Sequence, residues 1–434
     1  DGDGTVAITA LDATAAADLS KITAASVTAN VAADVYFTGK IGNAVVTVAS
    51  GKTFITTAGS STQQSINGSH HYVITMLAGV SGYTGSVTIN DADETAIKAA
   101  DLAAIGAKTT GTVTVTNAVA ISGNTAQTTA ALVTSGSLVE VSDATVTLND
   151  ADGTALNALD LSAIGAKTTG SVTVTNAVAI SGNTSESTAA LVTSGSLVEV
   201  SDATVTLSDN PSISALNAIA AKTTGVVTAT LAADSLSNLG SLTTAGTDAI
   251  TITVNDADAA SVTAANLSTL GGKTSGTVTV TNAVAISGSR AEATAALVTT
   301  GTLVEVSDAT VTINDADGVA LNATDLSAIG AKTTGTVTVT NAVAISGSRA
   351  EATAALVTTG SLVEVSDAAV TINDADGVAL NASDLSAIGA KTTGTVTVTN
   401  AVAISGSRAE ATAALVTTGS LVEVSDAAVT INDA

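Results

Sequence analysis

Residues 370–428 are VTINDADGVALNASDLSAIGAKTTGTVTVTNAVAISGSRAEATAALVTTGSLVEVSDAA, and most of the chain consists of copies of this stretch. The preceding copy, residues 311–369, differs from it at one position, where Thr324 takes the place of Ser383. A fixed period of this length predicts a solenoid, in which each unit buries its apolar face against its neighbours and has no separate core of its own. The intervals between units are 59 residues except for one of 47, and the units start at Val87, Val146, Val205, Ile252, Val311, Val370 and Val429.

Composition divides the 434 residues into two regions. Hydrophobic residues make up 45% of the chain but aromatic residues only 1%. We therefore predict a divergent head at residues 1–86, which holds every aromatic side chain, and a solenoid at residues 87–434. Solenoids need atypical end repeats, so the head aromatics are expected to cap the stack or to form a contact surface. The aromatic residues are Tyr36, Phe37, Phe54, Tyr72 and Tyr83.

Two segments of each unit, VTIN and TVTVTN, alternate β-branched apolar residues with threonine, as strands with one buried face do. Between them, Leu380, Leu385 and Ile388 have the spacing of one helical face. Asn381 and Asp384 have the pattern of an N-cap and a first-turn carboxylate. The predicted fold is an α/β solenoid whose coils, of about 22 to 33 residues, each hold a strand and a short helix, like leucine-rich repeats. An all-β solenoid (β-helix) is the alternative.

The second half of each unit carries a stronger helix signal. Ser407 and Glu410 form the S-x-x-E pattern of a capping box before the apolar run ATAALVTTG. Four other units keep a cap residue and its partner at 124/127, 183/186, 289/292 and 348/351. The pattern predicts a helix ended by Gly301, Gly360 or Gly419, and then a shorter third strand, LVEVSDA.

Asparagine ends both strand series of the repeat. Stacked asparagines at a turn can bond backbone groups of adjacent coils, and we predict this structural role for them. One series is Asn90, Asn149, Asn255, Asn314, Asn373 and Asn432, and the other is Asn117, Asn176, Asn282, Asn341 and Asn400.

The head contains the only histidines of the chain, His70 and His71. VAITALDATAAADLSKIT resembles the strand-then-helix half of a repeat, whereas AVVTVASGKTFITT and HHYVITML are predicted as strands. Adjacent residues of a strand point to opposite faces, so the two histidines are expected to be exposed and not to share a metal.

The net charge of −25 limits the possible partners. Nucleic acids are excluded, because binding them requires lysine and arginine against the phosphates. Anionic membrane surfaces are disfavoured for the same reason, and no segment is long and apolar enough to insert as a membrane helix. Without cysteine, the chain has neither disulfides nor thiolate chemistry.

The acidic turn NDADG is the best candidate ligand site. Stacking would place two carboxylates per unit on one edge, and calcium prefers clusters of oxygen ligands. Solvated turn acids that favour a helix start are the alternative, and no other cofactor is expected. The candidate calcium ligands are Asp91, Asp93, Asp150, Asp152, Asp256, Asp258, Asp315, Asp317, Asp374 and Asp376.

Two further functions, ice binding and catalysis, fit the repeat pattern less well. Outward threonines of TVTVT could form an ice-binding array, but VTIN in alternate coils would interrupt it. An enzyme built on a solenoid should break its repeats to assemble one acid/base cluster. Because the units are nearly identical and lack aromatic side chains, we predict no enzymatic activity.

The run ALNASDLSAIGAKTTGTVTVTNA and its variants from Ala96, Ala155, Ala320 and Ala379 resemble the repeats of very large bacterial cell-surface proteins. These are the arrays of giant adhesins and surface-layer-like proteins of cyanobacteria and other aquatic bacteria. The resemblance implies secretion to the cell surface or beyond, a structural or adhesive role, and surface or matrix polysaccharide as a further partner. The glycine-rich calcium nonapeptides of many such proteins are absent from this sequence.

The two ends of the sequence complement each other. The chain starts with DG and stops at VTINDA, and joining them recreates NDADG. Either the chain is a segment of a longer protein or identical subunits stack end to end, since uncapped solenoid ends expose strand edges and apolar surface. We therefore expect an extracellular structural protein that stacks with copies of itself into a fibre, sheath or surface layer. The rigid stalk of a giant adhesin is the alternative.

Overall fold

The computed structural model describes residues 65–78 and 82–433, together with five short strands of the preceding segment. By its internal contacts the chain divides into two compact units. Residues 1–209 and 218–228 form one unit, and residues 210–217 and 229–434 form the other. All points of division lie within the single short interval of the repeat, between Val205 and Ile252.

Parallel strands and short helices alternate along the described residues. The strands are β1 (Val6–Ile8), β2 (Val27–Val31), β3 (Val35–Phe37), β4 (Val45–Val48), β5 (Phe54–Thr56), β6 (Ser65–Gly68), β7 (Ser86–Ile89), β8 (Ala96–Lys98), β9 (Val113–Val115), β10 (Ala120–Gly123), β11 (Val139–Glu140), β12 (Thr145–Leu148), β13 (Ala155–Asn157), β14 (Val172–Val174), β15 (Ala179–Gly182), β16 (Thr204–Leu207), β17 (Val227–Thr230), β18 (Ala249–Val254), β19 (Ser261–Thr263), β20 (Val278–Val280), β21 (Ala285–Gly288), β22 (Thr310–Ile313), β23 (Ala320–Asn322), β24 (Val337–Val339), β25 (Ala344–Gly347), β26 (Val363–Val365), β27 (Ala369–Ile372), β28 (Ala379–Asn381), β29 (Val396–Val398), β30 (Ala403–Gly406), β31 (Val422–Val424) and β32 (Ala428–Ile431).

The helices are short, mostly of eight residues, and each follows a strand within its coil. They are α1 (His70–Ala78), α2 (Ala99–Gly106), α3 (Thr125–Leu132), α4 (Ala158–Gly165), α5 (Thr184–Leu191), α6 (Ile213–Ala220), α7 (Leu236–Leu239), α8 (Ala264–Gly271), α9 (Arg290–Leu297), α10 (Ala323–Gly330), α11 (Arg349–Leu356), α12 (Ala382–Gly389) and α13 (Arg408–Leu415). Strand plus short helix per coil confirms the predicted α/β solenoid. The all-β alternative is wrong, because the segments it required to be extended are helical.

Strands of successive coils pair in parallel and in register. In one sheet, Leu321, Ile345, Val370, Val396 and Val422 lie side by side. The next sheet begins inside the same repeat, where Leu380 pairs with Ile404 and Ile404 with Val429. Cohesion therefore runs from coil to neighbouring coil, as the repeat predicted.

The core consists of one apolar row from each strand and the inner face of each helix. Val370 and Ile372 are buried in β27, and Leu385 and Ile388 are buried in α12. Alternation in the strands and a three-residue step in the helix place these side chains on the same side of the coil. Gly389 ends α12 against the loop that follows α13 in the next coil, where a Cβ atom would collide with the carbonyl of Ser420.

The helix starts were predicted correctly and the proposed helix ends were not. Complete capping boxes are present at the N-termini of α3, α5, α9, α11 and α13. These helices end at a leucine, with a valine as C-cap, for example Leu415 and Val416. Gly301, Gly360 and Gly419 come four residues later and do not adopt positive φ, so they do not terminate the helix.

Two strand types were missed because they are short and lack alternation. Leu380, which its spacing predicts on a helical face, lies in β28, and the helix starts at Ala382. The segment AISG at 403–406 forms β30, between the predicted second strand and the second helix. Each is a strand only because its neighbour in the next coil supplies the hydrogen-bonding partner.

In the head, β1, β4 and β5 confirm the predicted strands, whereas the helix expected after β1 lies outside the described residues. HHYVITML is helical and not a strand, and His70 is buried instead of exposed.

Tyr72 and Tyr83 are also buried, and loss of solvation raises the pKa of both phenols above the ordinary value of 10.0. The placement of Tyr36, Phe37 and Phe54 side chains lies outside the described residues.

Candidate functional site

The acidic turns, which read NDADG in three copies, follow the first strand of the units that start at residues 87, 146, 252, 311 and 370 and precede a short strand such as ALN at 379–381. The fifth position of the turn requires the left-handed backbone conformation. It is glycine at 153, 318 and 377, with φ between 71° and 76°, but Glu94 and Ala259 occupy it in two copies, with φ of 62° and 59°. Two copies of the turn therefore keep a strained residue where glycine would be relaxed.

The first aspartate of each turn binds the start of a helix in the preceding coil. Asp315 Oδ2 accepts a hydrogen bond from the backbone N–H of Arg290 at 2.6 Å, and Asp374 Oδ2 accepts one from Arg349 at 2.6 Å. These N–H groups belong to the first residues of α9 and α11, which have no acceptor within their own helices. Equivalent bonds join Asp91 to His70, Asp150 to Thr125, Asp209 to Thr184, Asp256 to Leu236 and Asp433 to Arg408.

The second aspartate of the turn reaches the following coil. Asp376 Oδ1 accepts from the backbone N–H of Ala401 at 3.0 Å, and Asp317 accepts from Ala342 at 3.1 Å. The same bond joins Asp93 to Ala118, Asp152 to Ala177 and Asp258 to Ala283. The two carboxylates of one turn thus bind the coils on opposite sides of it.

The predicted bonds of one asparagine series are confirmed. Asn400 Nδ2 donates to the backbone carbonyl of Asp374 at 2.7 Å, so the acidic turn is held by the next coil from both its backbone and its side chain. Asn117, Asn176, Asn282 and Asn341 donate to the carbonyls of Asp91, Asp150, Asp256 and Asp315 in the same way, at 2.5 to 2.7 Å.

The first residue of the capped helix varies, and its side chain alters the bond to the aspartate. Thr125 adds a hydroxyl bond to Asp150 at 2.7 Å, and His70 adds a ring bond to Asp91 at 2.9 Å between two buried side chains. Arg290 and Arg349 instead extend past the turn to Asp325 and Asp384, 35 residues ahead, at 2.6 and 2.7 Å.

The candidate calcium ligands do not converge. Asp91 and Asp150 are buried, the other first aspartates are half-buried, and the second aspartates are exposed. Each of the ten carboxylates accepts a backbone N–H, and residues 65–78 and 82–433 hold no cluster of three or more acidic or histidine side chains around a common point. These carboxylates can join adjacent coils through hydrogen bonds without a metal ion, and calcium binding stays a prediction.

Hydrogen bonds stabilise the ionised form of two carboxylates, Asp209 and Glu351. The hydroxyl and backbone N–H of Thr184 hold the pKa of Asp209 below its ordinary value of 3.8. The backbone N–H of Ser348, with the hydroxyls of Thr324 and Ser348, lowers the pKa of Glu351 below 4.5. Both groups lie at helix starts, where unbonded N–H groups favour a negative charge.

Several members of this network were missed in the sequence. Asp209 occupies the aspartate position of the short unit, although SDNP there no longer resembles NDAD. Asp433 and the Arg–Asp pairs were also missed, because bonds between residues 25 or 35 positions apart depend on how the coils are aligned. The repeat spacing was the available signal.

Threonine rows are interrupted, as expected, but not where the sequence suggested. VTI and VTV strands align Thr371 with Thr397, and the row is broken instead by Ser346 on one side and Glu423 on the other.

No helix among the described residues is long and apolar enough to cross a membrane. Comparison with protein-family models, curated proteins and solved structures gave no match for this chain.

Proposed function

We propose that this chain is an extracellular structural repeat protein that stacks end to end with copies of itself to build a fibre, sheath or surface layer. The observation that carries this proposal is that strands of successive coils pair in the same parallel register throughout the repeats, so a coil of one copy can stack on a coil of another as coils stack within the chain. Val429 and Ile431 are 44% and 48% exposed, whereas their counterparts Val370 and Ile372 in β27 are 1% and 0% exposed.

The difference arises from stacking, because the two strands have the same sequence, AVTI. β27 lies between β25 and β29, whereas β32 pairs with β30. A further coil on β32 would bury both side chains, and each fully buried side chain of this type contributes about 1.5–3 kcal/mol.

The polar contacts between coils support addition of the same kind of unit. Each acidic turn has bonding groups for the coil before it and the coil after it, and these groups recur with the period of the repeat.

The test is sedimentation velocity and electron microscopy of the purified 434-residue chain, with calcium and with a chelator. We expect polymers of indefinite length that grow with protein concentration. Assembly that depends on calcium would indicate that the acidic turns bind the ion. Equal assembly in chelator would show that the polymers form without calcium.

Charged substitutions in the exposed strand β32 distinguish stacking through this strand from nonspecific association. Val429→Lys with Ile431→Lys should abolish polymers, because two charges would have to be buried at the junction. Ala316→Lys with Ala375→Lys adds the same charge at exposed turn positions and should leave the polymers intact. Particles of one fixed length in every variant would contradict stacking and favour the stalk of an adhesin.

A further inference from the structure

The loop that follows the second helix of each unit carries a glycine that the fold itself does not require. A Cβ atom at Gly360 would meet no other atom within 4 Å, and this residue does not adopt positive φ. The neighbouring Gly330 is different, because a Cβ atom there would collide with the carbonyl of Ser361. A glycine without an internal reason fits a position where another molecule approaches the backbone closely.

The same glycine recurs in five copies of the loop. The residues on either side of it vary between serine and threonine, whereas the glycine does not vary. At all five positions an added Cβ atom would meet no atom within 4 Å. The five are Gly136, Gly195, Gly301, Gly360 and Gly419.

This glycine lines a cleft of about 400 Å³, here named the glycine cleft. Equivalent clefts of about 330 and 360 Å³ lie at Gly136 and Gly301. Cavities of this size hold small molecules, or a short stretch of a polymer. The residues that line the cleft at Gly360 are Ser307, 330–337, 359–360, Leu362 and Glu364.

The glycine cleft presents polar groups that the chain does not use. The hydroxyls of Thr333 and Thr334 already donate to backbone carbonyls. In residues 82–433, which the structure describes throughout, the exposed side chains of Thr336, Thr359 and Glu364 have no hydrogen bond or ion pair to another residue. The corresponding exposed groups are Thr112, Ser135 and Glu140 in one copy and Thr277, Thr300 and Glu305 in another.

We propose that the glycine clefts bind a neutral polysaccharide. Hydroxyl groups both donate and accept hydrogen bonds, and a carboxylate accepts two, so these side chains match the hydroxyls of a sugar ring. The half-buried Leu362 adds apolar contact for the C–H groups of the ring. A protein partner is matched less well, because protein contacts centre on large apolar and aromatic anchors.

The charge of the clefts favours a neutral ligand over an acidic one. Lys332 lines the cleft at Gly360, but no lysine lines the clefts at Gly136 and Gly301. The glutamate is therefore the charge that the three clefts share, and it repels anions. Because the clefts recur with the repeat, one polymer of repeating sugars can bind several of them, which multiplies a weak single contact.

This inference rests on the proposed extracellular role, which brings the chain to polysaccharides, but not on end-to-end stacking. The test is biolayer interferometry of the whole chain, immobilised at low density, with dextran, mannan, galactan and a soluble β-glucan as neutral probes and alginate as the acidic one. We expect binding of at least one neutral polymer and none of alginate. Binding of no neutral polymer, or binding of alginate, would overturn the proposal. Immobilised single chains report binding without assembly, so this proposal and stacking fail separately.

Filling the clefts tests where the polymer binds. Glutamine at all five glycines should raise the dissociation constant at least about tenfold, while the urea midpoint stays near that of the parent, since the fold leaves room for a Cβ atom. Glutamine at five exposed turn alanines is the matched control and should stay within about threefold of the parent. The control positions are Ala92, Ala151, Ala257, Ala316 and Ala375.

Equal effects of the two glutamine sets would contradict binding in the clefts. Loss of polymers in the glycine-substituted chain, with polysaccharide binding unchanged, would instead assign the clefts to contacts between copies and would overturn the proposal.

Removing the shared carboxylate tests its role as an acceptor. Glutamine at the five exposed glutamates should raise the dissociation constant at least about threefold, because charge-assisted hydrogen bonds become neutral ones. Asparagine at five exposed aspartates outside the clefts changes the net charge equally and should have no such effect. A change in both sets, or in neither, would contradict recognition by the glutamates. The glutamates are Glu140, Glu199, Glu305, Glu364 and Glu423, and the control aspartates are Asp143, Asp202, Asp308, Asp367 and Asp426.

Discussion

At the scale of single residues, the repeat depends on positions whose role is visible only in the neighbouring coil. An aspartate of the acidic turn accepts the first N–H of a helix 25 residues earlier, as Asp374 does from Arg349. Its neighbour Asp376 accepts an N–H 25 residues later, from Ala401. These carboxylates replace solvent at backbone groups that stacking would otherwise leave without a partner.

Removing one such carboxylate should cost stability without changing the fold. Asp374→Ala leaves the N–H of Arg349 without its acceptor, and we expect the free energy of unfolding to fall by about 1–2 kcal/mol. Glu364→Ala, which removes an exposed charge outside these turns, is the control and should change it by less than about 0.5 kcal/mol. Urea unfolding of both variants measures the difference, and equal effects would contradict the capping role.

The left-handed turn position offers a gain in stability. Glu94→Gly and Ala259→Gly should each stabilise the protein by about 0.5–1 kcal/mol, because relief of the side-chain clash exceeds the added freedom of the unfolded chain. Gly377→Ala should destabilise it for the same reason. Ala316→Gly, at a turn position without positive φ, is the control and should be neutral or slightly destabilising. Urea midpoints that fall for Glu94→Gly and Ala259→Gly would show that these residues are not strained.

At the scale of elements, helices of eight residues are too short to persist by propensity and depend on caps and packing. The five capping boxes meet the first requirement, and side chains such as Leu385 and Ile388 meet the second by packing beneath the strands. An aspartate 25 residues later then joins the start of each of these five helices to the next coil. Helix formation and coil stacking are therefore coupled.

Acid should weaken this coupling at the capping boxes. The pKa of Glu351 is lower in the folded state than its ordinary value of 4.5, so its contribution is present above pH 4.5 and is lost as the pH falls through the folded pKa. Glu351→Gln should therefore be less stable than the parent above pH 4.5, and the gap should close at lower pH. Urea unfolding across this range measures the gap, and a gap that widens in acid would contradict the assignment. Glu364→Gln, at a group without a helix N-terminus, is the control.

Patterns confined to one coil were predictable from the sequence, and contacts between coils were not. VTI and VTV alternate visibly, and Ser407 with Glu410 marks a helix start within four residues. The strands at 379–381 and 403–406 have no alternation of their own, since pairing with a neighbouring coil defines them. HHYVITML is rich in strand-forming residues, but Asp91 binds the backbone N–H of His70 and holds the segment as a helix start. The ten turn aspartates recur visibly in the sequence, but their hydrogen-bond partners depend on the register between coils.

At the scale of the whole molecule, each compact unit is held by contacts between adjacent coils, and no single centre dominates. Stability should then behave as a sum of unit and interface terms. The same logic underlies the proposed assembly, because contacts that join coils within the chain can join coils of different copies.

The most direct test of coil-on-coil stacking uses the absence of cysteine from the chain. Thr371 and Thr397 are neighbours in register on β27 and β29, and neighbouring strands lie close enough for a disulfide between their side chains. Thr371→Cys with Thr397→Cys should form an intramolecular disulfide on mild oxidation at low protein concentration, detected by loss of free thiol and by mass. Thr371→Cys with Thr430→Cys joins equivalent positions of successive units that are not paired, and should remain reduced. A disulfide between 371 and 430, or none between 371 and 397, would contradict the stacked register.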